Sequence, residues 1–172
     1  PLDQDIANIY HRNLNNHPKA VEWWMQQGLT KATMRHFKVG CNPAFPLYND
    51  ETRQFEPKHT YTIPVYEYGQ LKTIRHRLHG AKGGNKYRPE RSGEGAYLFN
   101  GDVLDDPLYA NDSVLIVAGE KKVMVIWQEC GHMMPVVSAT AGCTNWFREY
   151  GEAWMRRLMH RRVYIGFDPN EI

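Results

Sequence analysis

The stretch from Ser113 to Phe167 constrains the fold more than any other part of the chain. Val114 to Val117 is an unbroken apolar run of the kind a parallel sheet buries on both faces. Glu120 to Cys130 then places Val123, Ile126, Trp127 and Cys130 at i, i+3, i+4, i+7 spacing, with Gly131 as a stop, which predicts a helix. Pro135 to Thr140 predicts a second strand. Asn145 is positioned to cap a helix whose Phe147, Tyr150, Trp154 and Leu158 make an inward stripe, and Val163 to Phe167 predicts a third strand. Strand, helix, strand, helix, strand in that order implies parallel pairing through right-handed crossovers, an α/β arrangement. Residues just beyond the carboxyl ends of such strands face the crevice where ligands bind. Two of the runs, SVLIVAGEKK (Ser113 to Lys122) and RRVYIGFDPNE (Arg161 to Glu171), stop there at acidic residues. Carboxylates in that position suit metal-assisted chemistry.

Upstream the pattern changes. Asp5 is placed to cap a helix through Leu14, Pro18 suits the first turn of a helix over Ala20 to Gln27 that Gly28 ends, and Thr30 caps a third helix through His36. Trp23, Trp24, Leu29, Met34 and Phe37 make an apolar cluster; for the tryptophans helix packing is favoured over base stacking. Cys41 to Gln54, rich in Pro, Asn and Asp, reads as an irregular connection. Thr60 to Tyr66 and Leu71 to Leu78 read as strands joined by a hairpin at Tyr68-Gly69. Alternation in the second puts Leu71, Thr73, Arg75 and Arg77 on one face and Lys72, Ile74, His76 and Leu78 on the other, so one face is basic. The hinge between an N-terminal lobe over 1–108 and a second lobe over 109–172 is expected near Asp105 to Asp112.

Charge concentrates in the first lobe. The chain has 21 Lys and Arg against 19 Asp and Glu, yet seven of the cations (Lys72, Arg75, Arg77, Lys82, Lys86, Arg88, Arg91) fall between 72 and 91, with Glu90 the one acid there and His76 and His79 alongside. Such an excess attracts a phosphate backbone, although a solvated basic loop without a partner is the alternative. Gly80, Gly83, Gly84, Gly93 and Gly95 favour a loop open to a ligand. Other classes are excluded. Lys86 follows Asn85 and precedes Tyr87, so the Gly-Lys-Ser/Thr core of a P-loop is missing, and the eight histidines show no HExxH spacing. Cys41, Cys130 and Cys143 suggest neither a disulfide framework nor a four-ligand zinc. No run approaches the roughly 18 apolar residues of a membrane span and no leader is visible, so the expectation is a cytoplasmic protein with no membrane partner.

Taken together these stretches resemble DnaG-type primases, whose Toprim domain has one strand ending in a Glu-Gly-containing motif and a later strand ending in Asp-x-Asp. Here the two motifs read Ala118-Gly119-Glu120 and Asp168-Pro169-Asn170-Glu171. Tyr68-Gly69-Gln70 to Leu78 resembles the family's hairpin, with Arg77 at its basic position. Asn85-Lys86-Tyr87 followed by Tyr97-Leu98-Phe99-Asn100 resembles its Lys-Tyr, Leu-Phe-Asn segment. The likeness runs from about Tyr10 to Glu171 and implies an α+β N-terminal lobe followed by a Toprim-like α/β lobe. In a complete Toprim domain a further helix and strand would follow, so the resemblance implies a fragment, incomplete at its C-terminus.

The implied activity is RNA primer synthesis on a single-stranded DNA template from ribonucleoside triphosphates with Mg2+ or Mn2+, beside a helicase domain or protein, in a bacterial, phage or plasmid replication system. By the resemblance, Arg77 and Lys86 bind nucleic acid or nucleotide; from their charge Arg75, Lys72 and Arg88 are expected to contribute less specifically, and Gly119, lacking a Cβ, suits a backbone turning from strand to helix beside a phosphate. Two of the three expected acids are replaced: the first-motif Glu falls on Ala118 and the second Asp on Asn170. Glu120 and Asp168 remain as catalytic candidates, and Asp168, Asn170, Glu171 and Glu120 as metal ligands. Glu120 has a second reading as a favourable acid in the first turn of a helix. The alternatives to a primase are a catalytically impaired module that binds single-stranded nucleic acid and a Toprim nuclease.

Overall fold

The computed structural model describes residues 2–81, 86–93, 95–109, 113–131, 133–140 and 151–167. Its helices are α1 (Ile6–Asn13), α2 (Pro18–Gln26), α3 (Lys31–His36), α4 (Glu120–Cys130) and α5 (Gly151–Leu158). Its strands are β1 (Gly40–Asn49), β2 (Gln54–Glu67), β3 (Gln70–Leu78), β4 (Tyr87–Pro89), β5 (Leu98–Phe99), β6 (Ser113–Val117), β7 (Val136–Ala139) and β8 (Arg162–Gly166). Two four-stranded sheets result, ordered β1-β2-β3-β4 and β5-β7-β6-β8. By packing, the chain divides into one unit of 1–64 with 73–92 and another of 65–72 with 93–172. That division lies elsewhere than at 108, and the 3₁₀ turns Gly101–Asp105 and Pro107–Tyr109 fall inside the second unit.

In the first unit local signals set the helix ends. Pro18 occupies the first turn of α2, where its missing N–H costs nothing. The Thr33 amide donates to Thr30 Oγ1 at 3.2 Å, capping α3. At α1 the expected cap is replaced: Asp5 holds the N-cap position without a side-chain cap bond, and its carboxylate accepts from Asn8 Nδ2 at 3.3 Å. Trp24 is fully buried, its indole N–H donating to Gly40 O at 3.1 Å, while Trp23 is half-buried. A Cβ on Gly40 would overlap the Tyr10 carbonyl, so α1 can approach β1 only because that residue is glycine.

The expected irregular connection is a strand. β1 pairs antiparallel with β2 from Gly40↔Thr62 to Asn49↔Gln54, with a register shift between Asn42 and Phe45. β1 is an edge strand, which tolerates Pro43 and Pro46, and the Ala44 amide within the irregularity donates to Asn42 Oδ1 at 3.0 Å. Turn-forming residues therefore masked a strand that uses them at its edge.

The second unit follows the predicted order closely. β6 pairs in parallel with β7 (Leu115↔Val136) and with β8 (Ser113↔Arg162 to Val117↔Gly166), and β5 adds antiparallel to β7. Leu98, Leu104, Val114, Ile116, Val137, Ala139, Trp154 and Leu158 form its core. Two details differ from expectation. The buried side of α4 is Glu120, Val123 and Met124, whereas Ile126, Trp127 and Cys130 are half-exposed, so the helix is rotated toward its amino-terminal turn. Gly131 ends α4 in right-handed geometry (φ −61°); a Cβ there would overlap Trp127. Asn145, Phe147 and Tyr150 lie outside the described residues, while Trp154 and Leu158 face the core as expected.

The β2–β3 hairpin turns at Tyr68 (φ 54°) and Gly69 (φ 70°), the paired left-handed residues of a tight two-residue loop. Asp102 accepts from both amides, at 2.6 and 2.8 Å. Glu67 Oε1 accepts from the Leu98 amide at 3.3 Å, and the Arg157 guanidinium lies 4.8 Å from the Tyr68 ring centre. These contacts are why the hairpin tip packs with the second unit.

Candidate functional site

The basic face of β3 is built as alternation requires. Arg77 stands opposite Tyr87 in the β3–β4 ladder, and side chains directly opposite share a face. The Arg75 and Arg77 guanidiniums lie 4.8 and 5.5 Å from the Tyr87 ring centre, and Arg77 also lies 5.6 Å from that of Trp23. Trp23 in turn stacks on Tyr61 of β2, 3.7 Å between centres and 6° from parallel. The result is a strip in which planar cations alternate with aromatic rings, all within the first unit. Stacking over a ring fixes the plane of a guanidinium, and a planar guanidinium matches phosphate geometry. Lys86 and Arg88 border it at the start of β4, both half-buried, and Arg88 Nη1 donates to Tyr87 O at 2.9 Å. Lys72 belongs to the hairpin tip of the second unit, where its Nζ donates to Gln70 Oε1 at 3.0 Å.

Beneath β3, on its other face, lies a polar network that the sequence did not reveal. His76 is fully buried; its Nδ1 meets Thr60 Oγ1 at 2.9 Å and its Nε2 meets Glu90 Oε2 at 2.5 Å. Tyr10 donates to the Glu90 carboxylate at 3.3 Å and accepts from Asn42 Nδ2 at 3.0 Å, while Phe45 stacks on the imidazole at 4.0 Å. Burial, then the neighbouring Glu90 charge and its hydrogen bond, push the Tyr10 phenol well above its usual pKa. The Glu90 amide also donates to Ile74 O at 2.8 Å. Neither His76 nor Glu90 therefore counts toward the surface charge of the basic run. They hold the segment that follows Tyr87 and Arg88 against the sheet. The only sequence signal was the solitary acid in that run.

The rim of the parallel sheet carries the second set of candidates. Val117 pairs with Gly166, so β6 and β8 end level, and Ala118 and Phe167 are the next residues on each. Gly119 turns the chain into α4 at φ 98°, with its amide donating to Ser138 Oγ of β7 at 2.9 Å and open space where a Cβ would stand. That conformation is strained for any L side chain. Glu120 opens α4 and is 4% exposed, which favours the helix-turn reading over an open ligand. Asp168, Asn170 and Glu171 lie outside the described residues.

The described residues supply one of the four expected cation donors. Ala118 offers no side-chain oxygen, Glu120 is the one described carboxylate among the four expected ligands, and no group of three or more His, Cys, Asp or Glu among the described residues converges to hold an ion. Hard dications need several oxygen donors and charge close together.

No protein-family model and no curated protein matches the chain. Solved structures do. The Aquifex aeolicus primase (zinc-binding and RNA polymerase domains) matches with a TM-score of 0.72 at 15% identity, over 94% of this chain and 45% of that one. The RNA polymerase domain of Mycobacterium tuberculosis primase DnaG matches with a TM-score of 0.70 at 13% identity, over 95% of this chain and 64% of that one. The primase fragment of the bacteriophage T7 primase-helicase matches with a TM-score of 0.58 at 13% identity, over 84% and 52%. The chain thus spans roughly half to two thirds of the length of these structures. The architecture, an antiparallel sheet with helices followed by a mixed sheet with parallel strands, is that of DnaG-type primase catalytic cores.

Proposed function

We propose that this chain is the catalytic-core portion of a DNA primase, which joins ribonucleoside triphosphates into an RNA primer on single-stranded DNA by nucleotidyl transfer. The fold likeness over nearly the whole chain is the observation that supports this reading most. The reaction forms a bond from a 3′ hydroxyl to an α-phosphorus and releases pyrophosphate. In this reading the strip of Arg75, Arg77 and Tyr87 in the first unit takes the template and incoming nucleotide, with Lys86 and Arg88 adding positive charge; within the second unit Lys72 is a further basic contact and Gly119 gives a phosphate room beside the backbone. Glu120 and Asp168 are the proposed catalytic carboxylates. Mg2+ or Mn2+ is the proposed ion, and Asp168, Asn170, Glu171 and Glu120 are its proposed donors. A helicase, on this protein or another, is the proposed partner, by analogy with the primase-helicase of bacteriophage T7.

The test is incorporation of labelled ribonucleotides on mixed-sequence single-stranded DNA with Mg2+ or Mn2+, by the chain as it stands and by Ala118→Glu. Dinucleotide and longer products that rise in the variant support a primase. Absence of product from both counts against it.

Ala118 favours a second reading, a module that binds single-stranded nucleic acid without catalysis. A motif pair that lacks one acid and carries Asn in place of another holds a dication poorly. Binding that a chelator leaves unchanged, together with inactivity of Ala118→Glu, would select this reading.

A further inference from the structure

We propose that His17, His59 and His79, gathered around Tyr61, extend the arginine–aromatic strip as a proton-linked surface for the phosphodiesters of single-stranded DNA. The proposal rests on the nucleic-acid reading of the first unit and adds its regulation by pH. The geometry comes from three separate parts of the chain. His17 precedes α2, His59 lies two residues before Tyr61 on β2, and His79 follows β3 two residues after Arg77. Residues two apart on a strand share a face, so His59 sits with Tyr61 on β2, while His79 lies in the turn just after β3. The contacts agree: His17 and His59 ring centres are 5.9 Å apart, His59 and Tyr61 5.3 Å, and His79 Nδ1 meets the Tyr61 hydroxyl at 2.9 Å. Tyr61 also carries the stacked Trp23, which Arg77 borders. The histidines therefore continue the strip away from Tyr87.

The electrostatics of the cluster are one-sided. His59 is faced by His17 from the turn before α2 and by His79 from the end of β3. Tyr61 is faced by Arg77 and by the buried Cys41 thiol. Lys58, next to His59 along β2, pairs with Glu56 at 2.9 Å. Among the described residues no carboxylate pairs with any of the three histidines, in contrast to His76 with Glu90. Burial and then the charges of His17 and His79 hold His59 below the usual histidine pKa. Free of ligand, His59 therefore favours its neutral form. A phosphodiester oxygen supplies the missing negative charge. Binding is then coupled to proton uptake, and affinity rises as pH falls through the histidine range.

The experiment measures binding of a fluorescein-labelled thymidylate 16-mer to the full chain by anisotropy at pH 8.0 and pH 5.5, at fixed ionic strength. It compares the unaltered chain, the His17→Gln/His59→Gln/His79→Gln variant and Arg77→Ala. The unaltered chain is expected to bind about tenfold more tightly at the lower pH, which corresponds to an average uptake of about 0.4 proton on binding across the interval. The triple variant is expected to lose most of that difference, while Arg77→Ala weakens binding at both pH values and keeps it. Equal affinity at both pH values in the unaltered chain, or a difference that the triple variant retains, overturns the proposal and leaves the single-strand reading standing. No binding at either pH overturns both. Proton NMR of the unaltered chain gives an answer independent of how the variant folds: the His59 and His79 titrations move upward when the 16-mer is added, and unmoved titrations contradict the proposal.

Discussion

Glu90 holds the basic run in place from below. Its carboxylate meets a fully buried imidazole and a half-buried phenol, and its amide bonds to β3, so one residue ties α1, β3 and the chain after β4 together. Glu90→Gln keeps the shape and removes the charge that His76 and Tyr10 both face. Thermal unfolding is expected to show a loss of about 1–3 kcal/mol, the usual range for disturbing a buried charge-assisted hydrogen bond. An unchanged midpoint would mean that the network adds nothing to stability. The histidines give a pH prediction of definite sign. His59 is held below its usual pKa by burial and by the neighbouring His17 and His79. The unfolded chain therefore takes up protons before the folded one does. Stability falls as pH drops through the ordinary histidine range, about 6.5 and below, and His59→Gln flattens that decline in pH-dependent denaturant unfolding.

Among the elements, those set by local chemistry were the most legible. The bounds of α4 are legible because Gly119 and Gly131 bracket about three turns of helical periodicity, and those of α3 because Thr30 caps it. β1 was missed because Pro43, Pro46 and Asn49 carry loop signals, and only its edge position in the sheet makes a strand of them. The hairpin was read at Tyr68-Gly69, but its anchor, Asp102, sits more than thirty residues along the chain and left no local trace. Replacing Asp102 by Ala removes the acceptor of both hairpin amides. The expected cost is roughly 1–2 kcal/mol, moderated by water reaching the exposed amides, with faster amide exchange at Tyr68 and Gly69. Gly40→Ala is expected to cost about 1–3 kcal/mol, because α1 must withdraw from β1 to admit the methyl group. A variant as stable as the parent would contradict that close contact.

For the whole molecule, the parallel sheet was legible and the candidate site only in part. Alternation alone identified Arg75 and Arg77 as one face, and the structure adds the rings of Tyr87, Trp23 and Tyr61 that order them. The His76–Glu90–Tyr10 network escaped because its members are 14 and 80 residues apart, and non-local polar pairs carry no periodic signature. At the rim, sequence placed Glu120 beside a strand end, but only the fold shows that side chain turned into the interior. The account depends most on the arginine strip gripping a phosphate backbone. The direct measurement is the salt dependence of single-stranded DNA binding for the unaltered chain, Arg77→Ala and Lys86→Ala. The predicted result is weaker binding in each variant, with the log-affinity against log-salt slope reduced by about one for each lost phosphate contact. Unchanged affinity and slope in both variants would contradict it.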